Sequence, residues 1–149
     1  MQNELDSVES GACYLAAHRT GNRLEILYAG DVRLAKYNPD GAHEFSTEDH
    51  GEGRVVRKYV SPSAPTIRGD IIEKPIESGN RIVVASDGLW DNYSETDVGG
   101  MLNGLSPQDA VSTVTKALHD KMHQRKNGTL PPDTYAKCDN ISILIYDVK

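Results

Sequence analysis

The sequence predicts an α+β fold, rich in antiparallel strands, with a pair of helices set in just before the last strand. Three observations carry that expectation. Short apolar runs separated by turn residues fill the first half of the chain. Two segments beyond residue 93 switch to helical spacing, each behind a serine. A last apolar run, NISILIYD, closes the chain. With 149 residues the chain is about one domain long.

The first ten residues, MQNELDSVES, are polar and read as a loose lead-in. From Ala12 come ACYLAAH, RLEILYA and VRLAKY, and in the second of these Leu24, Ile26 and Tyr28 alternate with Arg23 and Glu25, as a half-buried strand requires. Thr20-Gly21-Asn22, Gly30-Asp31 and Asn38-Pro39-Asp40-Gly41 supply turn chemistry, so the three runs read as an antiparallel meander. Residues 46–70 read as a surface excursion around a short strand near Arg54–Val60, with an extended segment at Asp70–Ile76 after it. RIVVAS at 81–86 is unbroken and β-branched, the pattern of a strand buried on both faces.

The first helix is expected from Ser94, an N-cap with Asp97 three residues on, and presents Val98, Met101, Leu102 and Leu105. Gly99-Gly100 weakens it by about 1 kcal/mol per glycine relative to alanine. The second has Ser106 as cap, Pro107 at the first helical position and Asp109 in the first turn. Its stripe is Val111, Val114, Leu118 and Met122, and Lys121, Arg125 and Lys126 load its end before Asn127-Gly128.

Composition narrows the function. Hydrophobic residues at 38% and charged residues at 26% describe a soluble globular chain. A net charge of −6 argues against a generic nucleic-acid binder and a polybasic membrane surface, and no apolar run reaches the roughly 20 residues of a membrane span. The acidic start has no apolar core of a signal peptide, and Cys13 and Cys138 form no CxxC pair. An intracellular, cytoplasmic location with reduced thiols is the expectation.

Four aspartates at strand ends are the candidate site. Asp31 follows LEILYAG; Asp87 follows RIVVAS, with Asp91 four residues later; Asp139 precedes NISILIYD. Carboxylates at the rim of a sheet are held rigidly yet stay open to solvent, and hard cations such as Mg²⁺ or Mn²⁺ take such oxygen ligands. Ordinary turn chemistry also places Asp beside Gly or Asn, so spacing alone leaves both readings open. Other signals read blandly. His119 and His123 have zinc-ligand spacing but sit in HDKMH, a solvated helix end. His50 reads as a structural loop residue, Trp90 as a core anchor, Cys138 as an inert thiol, and Arg54, Arg57 and Lys58 as a solvated face.

Taken together, the local strings resemble the metal-dependent protein Ser/Thr phosphatases of the type 2C (PPM) family. The matches, in order, are Ser10-Gly11-Ala12-Cys13, Ala29-Gly30-Asp31-Val32-Arg33, Thr47-Glu48-Asp49-His50, Ala85-Ser86-Asp87-Gly88-Leu89-Trp90-Asp91 and Asp139-Asn140-Ile141-Ser142. The seven-residue ASDGLWD is the specific element, and two helices between it and the last motif agree in position.

The resemblance implies a sandwich of two antiparallel sheets flanked by helices, with metals at one end. It implies that Asp87 and Asp139 serve a dinuclear Mg²⁺/Mn²⁺ centre, and that Asp31 and Asp91 help Asp87 hold a weaker third ion. The implied reaction is hydrolysis of phosphoserine or phosphothreonine in a phosphoprotein substrate by a metal-activated water, without a phosphoenzyme.

The likeness takes in residues 1–149 as the C-terminal portion of such a catalytic domain only. The family's phosphate-binding arginine, first-strand acid and D-G-x-x-G segment have no counterpart, and Glu4, Asp6 and Glu9 match none of them. Little turnover is therefore expected of this chain alone. It would need the missing N-terminal half, supplied by a longer product or a partner; self-association over an exposed sheet is compatible with this reading and with the alternative. The alternative is a non-catalytic phosphatase-like module that binds a protein partner through that sheet.

Overall fold

The computed structural model describes residues 11–52, 55–56, 58, 61 and 69–149. The chain runs β1 (Tyr14–Thr20), β2 (Arg23–Ala29), β3 (Arg33–Tyr37), β4 (His43–Ser46), β5 (Gly51–Glu52), β6 (Val55–Val56), β7 (Asp70–Pro75) and β8 (Arg81–Ala85), then α1 (Asp87–Trp90), α2 (Glu95–Leu102), α3 (Pro107–Lys126) and β9 (Ile143–Asp147). Two antiparallel sheets organise it: β1-β2-β7 and β4-β3-β8-β9, with β5-β6 a small separate hairpin.

Periodicity explains how the sheets stack. On β2, Leu24, Ile26 and Tyr28 are buried while Arg23 and Glu25 face solvent. Those apolar residues pack on Leu34 of β3 and Ile82 of β8, together with Ile76 and Val148, and form the core between the sheets. The opposite face of the second sheet presents Ala35, Tyr37, Val83 and Ala85 to Val98 and Leu102 of α2 and to Ala110, Val114 and Leu118 of α3. The second sheet is thus the middle layer, and its central strands β3 and β8 are covered on both faces, as the unbroken RIVVA run requires. Each fully buried aliphatic side chain there contributes about 1.5–3 kcal/mol.

Three expectations need correction. The first three strands are not one meander: β1 and β2 pair, but the chain changes sheet at Gly30–Val32, and β3 pairs with β4 and β8. The inward stripe of α3 is Ala110, Val114 and Leu118, with Val111 and Met122 at its margin, because i, i+4, i+8 spacing faces the sheet. Leu105 lies beyond the end of α2. The caps stand where expected: Ser94 and Asp97 form a full capping box, and Ser106 accepts from Asp109 N–H ahead of Pro107. Of the short strand near Arg54–Val60, only residues 55–56 and 58 are described; Arg54, Arg57 and the lead-in with Glu4, Asp6 and Glu9 lie outside the described residues. Among the described residues no helix is long and apolar enough to cross a membrane.

Candidate metal centre

β8 delivers the chain to Ser86, the N-cap of the single-turn helix α1, so that Asp87 opens the turn and Asp91 closes it. Gly88, Leu89 and Trp90 are buried on its inner side, with Trp90 Nε1 donating to the Ala85 carbonyl at 3.1 Å. The i, i+4 spacing then puts Asp87 and Asp91 on one outer side.

The segment before β9 is laid directly over this turn. A Cβ on Gly88 would run into the Asn140 carbonyl oxygen and lie 3.1 Å from Ile141 Cγ1, so glycine is what permits the crossing. Ser86 N–H donates to the Ser142 carbonyl at 3.1 Å, and Ser142 N–H donates to Ser86 Oγ at 3.1 Å. Asp139 is thereby held beside α1.

What gathers the three carboxylates is a lysine. Lys137 Nζ donates to Asp87 Oδ2, to Asp91 Oδ2 at 2.9 Å, and pairs with Asp139 Oδ2 at 3.2 Å. These side chains are about a third to a half exposed, so each pair alone contributes at most about 1 kcal/mol. The bonds to Asp87 and then Asp91, with Asp139 behind, hold the ammonium well above the ordinary lysine range. Asp139 is held below the usual carboxylate range by Asn140 N–H and then by Lys137. One ammonium among three carboxylates leaves the cluster negative overall.

The lysine is placed by Asn92, which is buried at 6% exposure. Asn92 Nδ2 donates to the Gly88 carbonyl at 2.8 Å and to the Lys137 carbonyl at 3.0 Å, while Lys137 N–H donates to Asn92 Oδ1 at 2.9 Å. Sequence reasoning missed both residues. The only signal was an asparagine directly after ASDGLWD and a lysine two places before Asp139, single positions with no periodicity behind them.

Asp31 is not among the carboxylates on that ammonium. It follows β2, and Cys13 Sγ donates to its Oδ1 at 2.8 Å. Gly30 has φ +99°, and a Cβ there would collide with Cys13 Sγ. Partial desolvation of the thiol and its bond to Asp31 push Cys13 above the ordinary thiol range. Asp31 borders a concavity of about 350 Å³ that Cys13, Ser86, Ser142 and Ile143 also line.

The other motif residues build the scaffold. Arg33 forks onto Asp49 at 3.2 and 2.5 Å, reaches Glu95 at 2.6 Å and lies 5.7 Å over the Trp90 ring. Thr47 Oγ1 accepts from Leu34 N–H at 3.0 Å. His50 stacks on Tyr28, accepts from Gly30 N–H at 3.3 Å and bonds Asp70 at 2.9 Å, which is a structural role. His119 and His123 are exposed on the last turns of α3. Both cysteines are free and exposed.

Among the described residues, no group of three or more His, Cys, Asp or Glu side chains is arranged to hold a metal ion. The three carboxylates close on the ammonium instead. Their chemistry nonetheless fits Mg²⁺ or Mn²⁺: hard oxygen donors, net negative charge, partial exposure, and a cation already drawn to their common point.

No protein-family model matches the chain, and no curated protein matches it. Solved structures do. PppA, described as a key regulatory component of T6SS in Pseudomonas aeruginosa, superposes with TM-score 0.68 at 19% identity, over 91% of this chain and 56% of its own. The photosystem II phosphatase PBCP gives TM-score 0.70 at 21% identity, over 93% and 64%. The catalytic domain of the Ser/Thr phosphatase PstP in complex with two manganese ions gives 0.62 at 22% identity, over 93% and 60%. The chain spans less than two thirds of the length of each. Its fold, two antiparallel sheets with helices on one side, is that of part of the catalytic domain of the metal-dependent, PPM-type Ser/Thr phosphatases.

Proposed function

We propose that residues 1–149 form the C-terminal portion of a type 2C phosphatase catalytic domain and supply aspartates to its divalent-metal centre. The reaction is hydrolysis of phosphoserine or phosphothreonine in a protein substrate, inside the cell and by default in the cytoplasm, where two free cysteines stay reduced. The carrying observation is that Asp87, Asp91 and Asp139 meet at one cation although 47 residues of chain, including both longer helices, separate Asp91 from Asp139. Asp139 also accepts from Asn140 N–H, but turn capping alone gives no reason for all three carboxylates to meet at one cation.

Mg²⁺ or Mn²⁺, when bound, supplies a water acidic enough to attack phosphorus and positive charge to hold the phosphoryl oxygens. The chain's own part is positional. Asp87 and Asp139 would offer oxygens to the core site, and Asp91, with Asp31 if it left its bond to Cys13, would help hold a weaker further ion. Gly88 lets Asp139 approach, and the Arg33–Asp49–Glu95 staple fixes the rim behind Trp90.

The partner-binding alternative has one observation in its favour: Leu144 and Tyr146 of β9 are 58% and 43% exposed on the face that Ile82 and Val84 turn to the other sheet. It gives no reason for three carboxylates to converge, so the catalytic reading takes precedence. The test is phosphate release from a phosphothreonine peptide with Mn²⁺ and with EDTA, in the natural chain and in Asp87→Asn. Little release is expected of the chain alone, and any release is expected to need Mn²⁺ and to be lost in Asp87→Asn. Release indifferent to EDTA or to Asp87 removes the reading, and the absence of Mn²⁺ binding moves it to the alternative.

A further inference from the structure

We propose that Lys137 is a tethered counter-cation of this centre: it occupies the point where a divalent ion binds, holds the three carboxylates in place without metal, and must withdraw for the ion to enter. The inference rests on the metal reading above and adds what governs occupancy of the site.

Four features support it. The ammonium contacts one oxygen from each of Asp87, Asp91 and Asp139, so an ion binding at that point would have to take its place. The backbone of Lys137 is anchored independently of that contact, through the paired bonds to the buried Asn92 amide. Its neighbour Ala136 is buried, and the Ala136 carbonyl accepts from Arg125 of α3. The root of the side chain is therefore fixed while the side chain as a whole is 29% exposed, so its flexible four-carbon stem can swing outward without moving the loop.

Without such a cation, three carboxylates at this spacing repel one another and splay. With it, the cluster keeps its shape before metal arrives, and the entering ion must displace a covalently held competitor. Lys137 therefore lowers metal affinity and sharpens the difference between the metal-free and metal-loaded states. A dication wins the exchange by its second charge, and a monovalent ion has no such advantage.

The experiment compares Mn²⁺ binding, followed by loss of the free-ion electron paramagnetic resonance signal, in the natural chain, Lys137→Met, Lys137→Gln and Asp87→Asn. Alongside, amine acylation of the natural chain with and without Mn²⁺ is mapped by mass spectrometry. The expected result is at least tenfold tighter Mn²⁺ binding in both lysine variants, and acylation of Lys137 that rises several-fold when Mn²⁺ is present. Equal saturable binding in the natural chain and both lysine variants overturns the proposal and leaves the metal reading standing, as does a Lys137 no more reactive with Mn²⁺ than without. Absence of binding in the natural chain and in both lysine variants overturns both. The acylation arm uses the natural chain, so a variant that fails to fold does not remove the test.

Discussion

Replacing Asn92 by alanine separates a clamp from a mere neighbour. The side chain makes three hydrogen bonds, one to the Gly88 carbonyl and two to the backbone of Lys137, from a position only 6% exposed. Gly88 is buried, so its carbonyl is left without a partner in a dry place, at a cost of about 2 kcal/mol. The Lys137 backbone is half-buried and water reaches it more readily, so its two lost bonds cost about 1 kcal/mol each. The sum is about 4 kcal/mol, a large part of the ~5–15 kcal/mol that holds a domain folded. In urea, with a slope of about 2 kcal/mol/M, the midpoint should fall by about 2 M, and the melting temperature by roughly 10 °C. Equilibrium unfolding followed by the single tryptophan, Trp90, reads this directly, since Trp90 lies on α1 beside the altered clamp. A loss below about 1 kcal/mol, with an unchanged slope, would show that the loop carrying Lys137 is held by something other than Asn92.

Further outcomes follow from other contacts. Gly88→Ala presses a methyl group onto the Asn140 carbonyl, and should cost about 1–3 kcal/mol in urea unfolding while weakening Mn²⁺ binding by displacing Asp139. Arg81→Met removes a forked pair to Asp147 at 2.6 and 2.8 Å and the donors to the Leu102 and Leu105 carbonyls, with an expected loss of about 2–4 kcal/mol by thermal unfolding. Arg81 also holds the Asp147 carboxyl below its ordinary range. A depressed carboxylate contributes stability above its unfolded pKa, near 3.9, that is lost as pH falls through the lower folded value. The natural chain should therefore lose that contribution below about pH 4, and Arg81→Met should show a shallower acid limb in a pH series of melts. Ser94→Ala breaks the capping box of α2 and should cost about 1 kcal/mol by urea unfolding; no measurable loss would show that packing alone sets the start of α2.

How far the sequence reveals this molecule depends on the range of the interaction concerned. Alternation on β2, the unbroken run of β8 and the serine caps of α2 and α3 are local signals, and each led to the right element. Gly30-Asp31 looks like a hairpin turn because its chemistry is the same whether the chain folds back or crosses to a second sheet; only packing of Leu34 against Leu24 and Ile26 decides. β4 has four residues and α1 a single turn, too short for any period to show.

The candidate site divides in the same way. Asp87, Asp91 and Asp139 were named from local strings and do come together, whereas Asp31 pairs with Cys13 across the sheet. Lys137 and Asn92 were silent because their importance comes from partners about 45 residues away in sequence, a separation at which no spacing rule applies.

Calorimetric titration of Mn²⁺ into the chain, beside Asp87→Ala, tests the central claim most directly. Saturable binding that is lost in Asp87→Ala is the result predicted by a carboxylate centre built from Asp87, Asp91 and Asp139. No binding above the Asp87→Ala control at millimolar Mn²⁺ would contradict it, and would leave the phosphatase-like fold as a frame whose function lies in what it docks against.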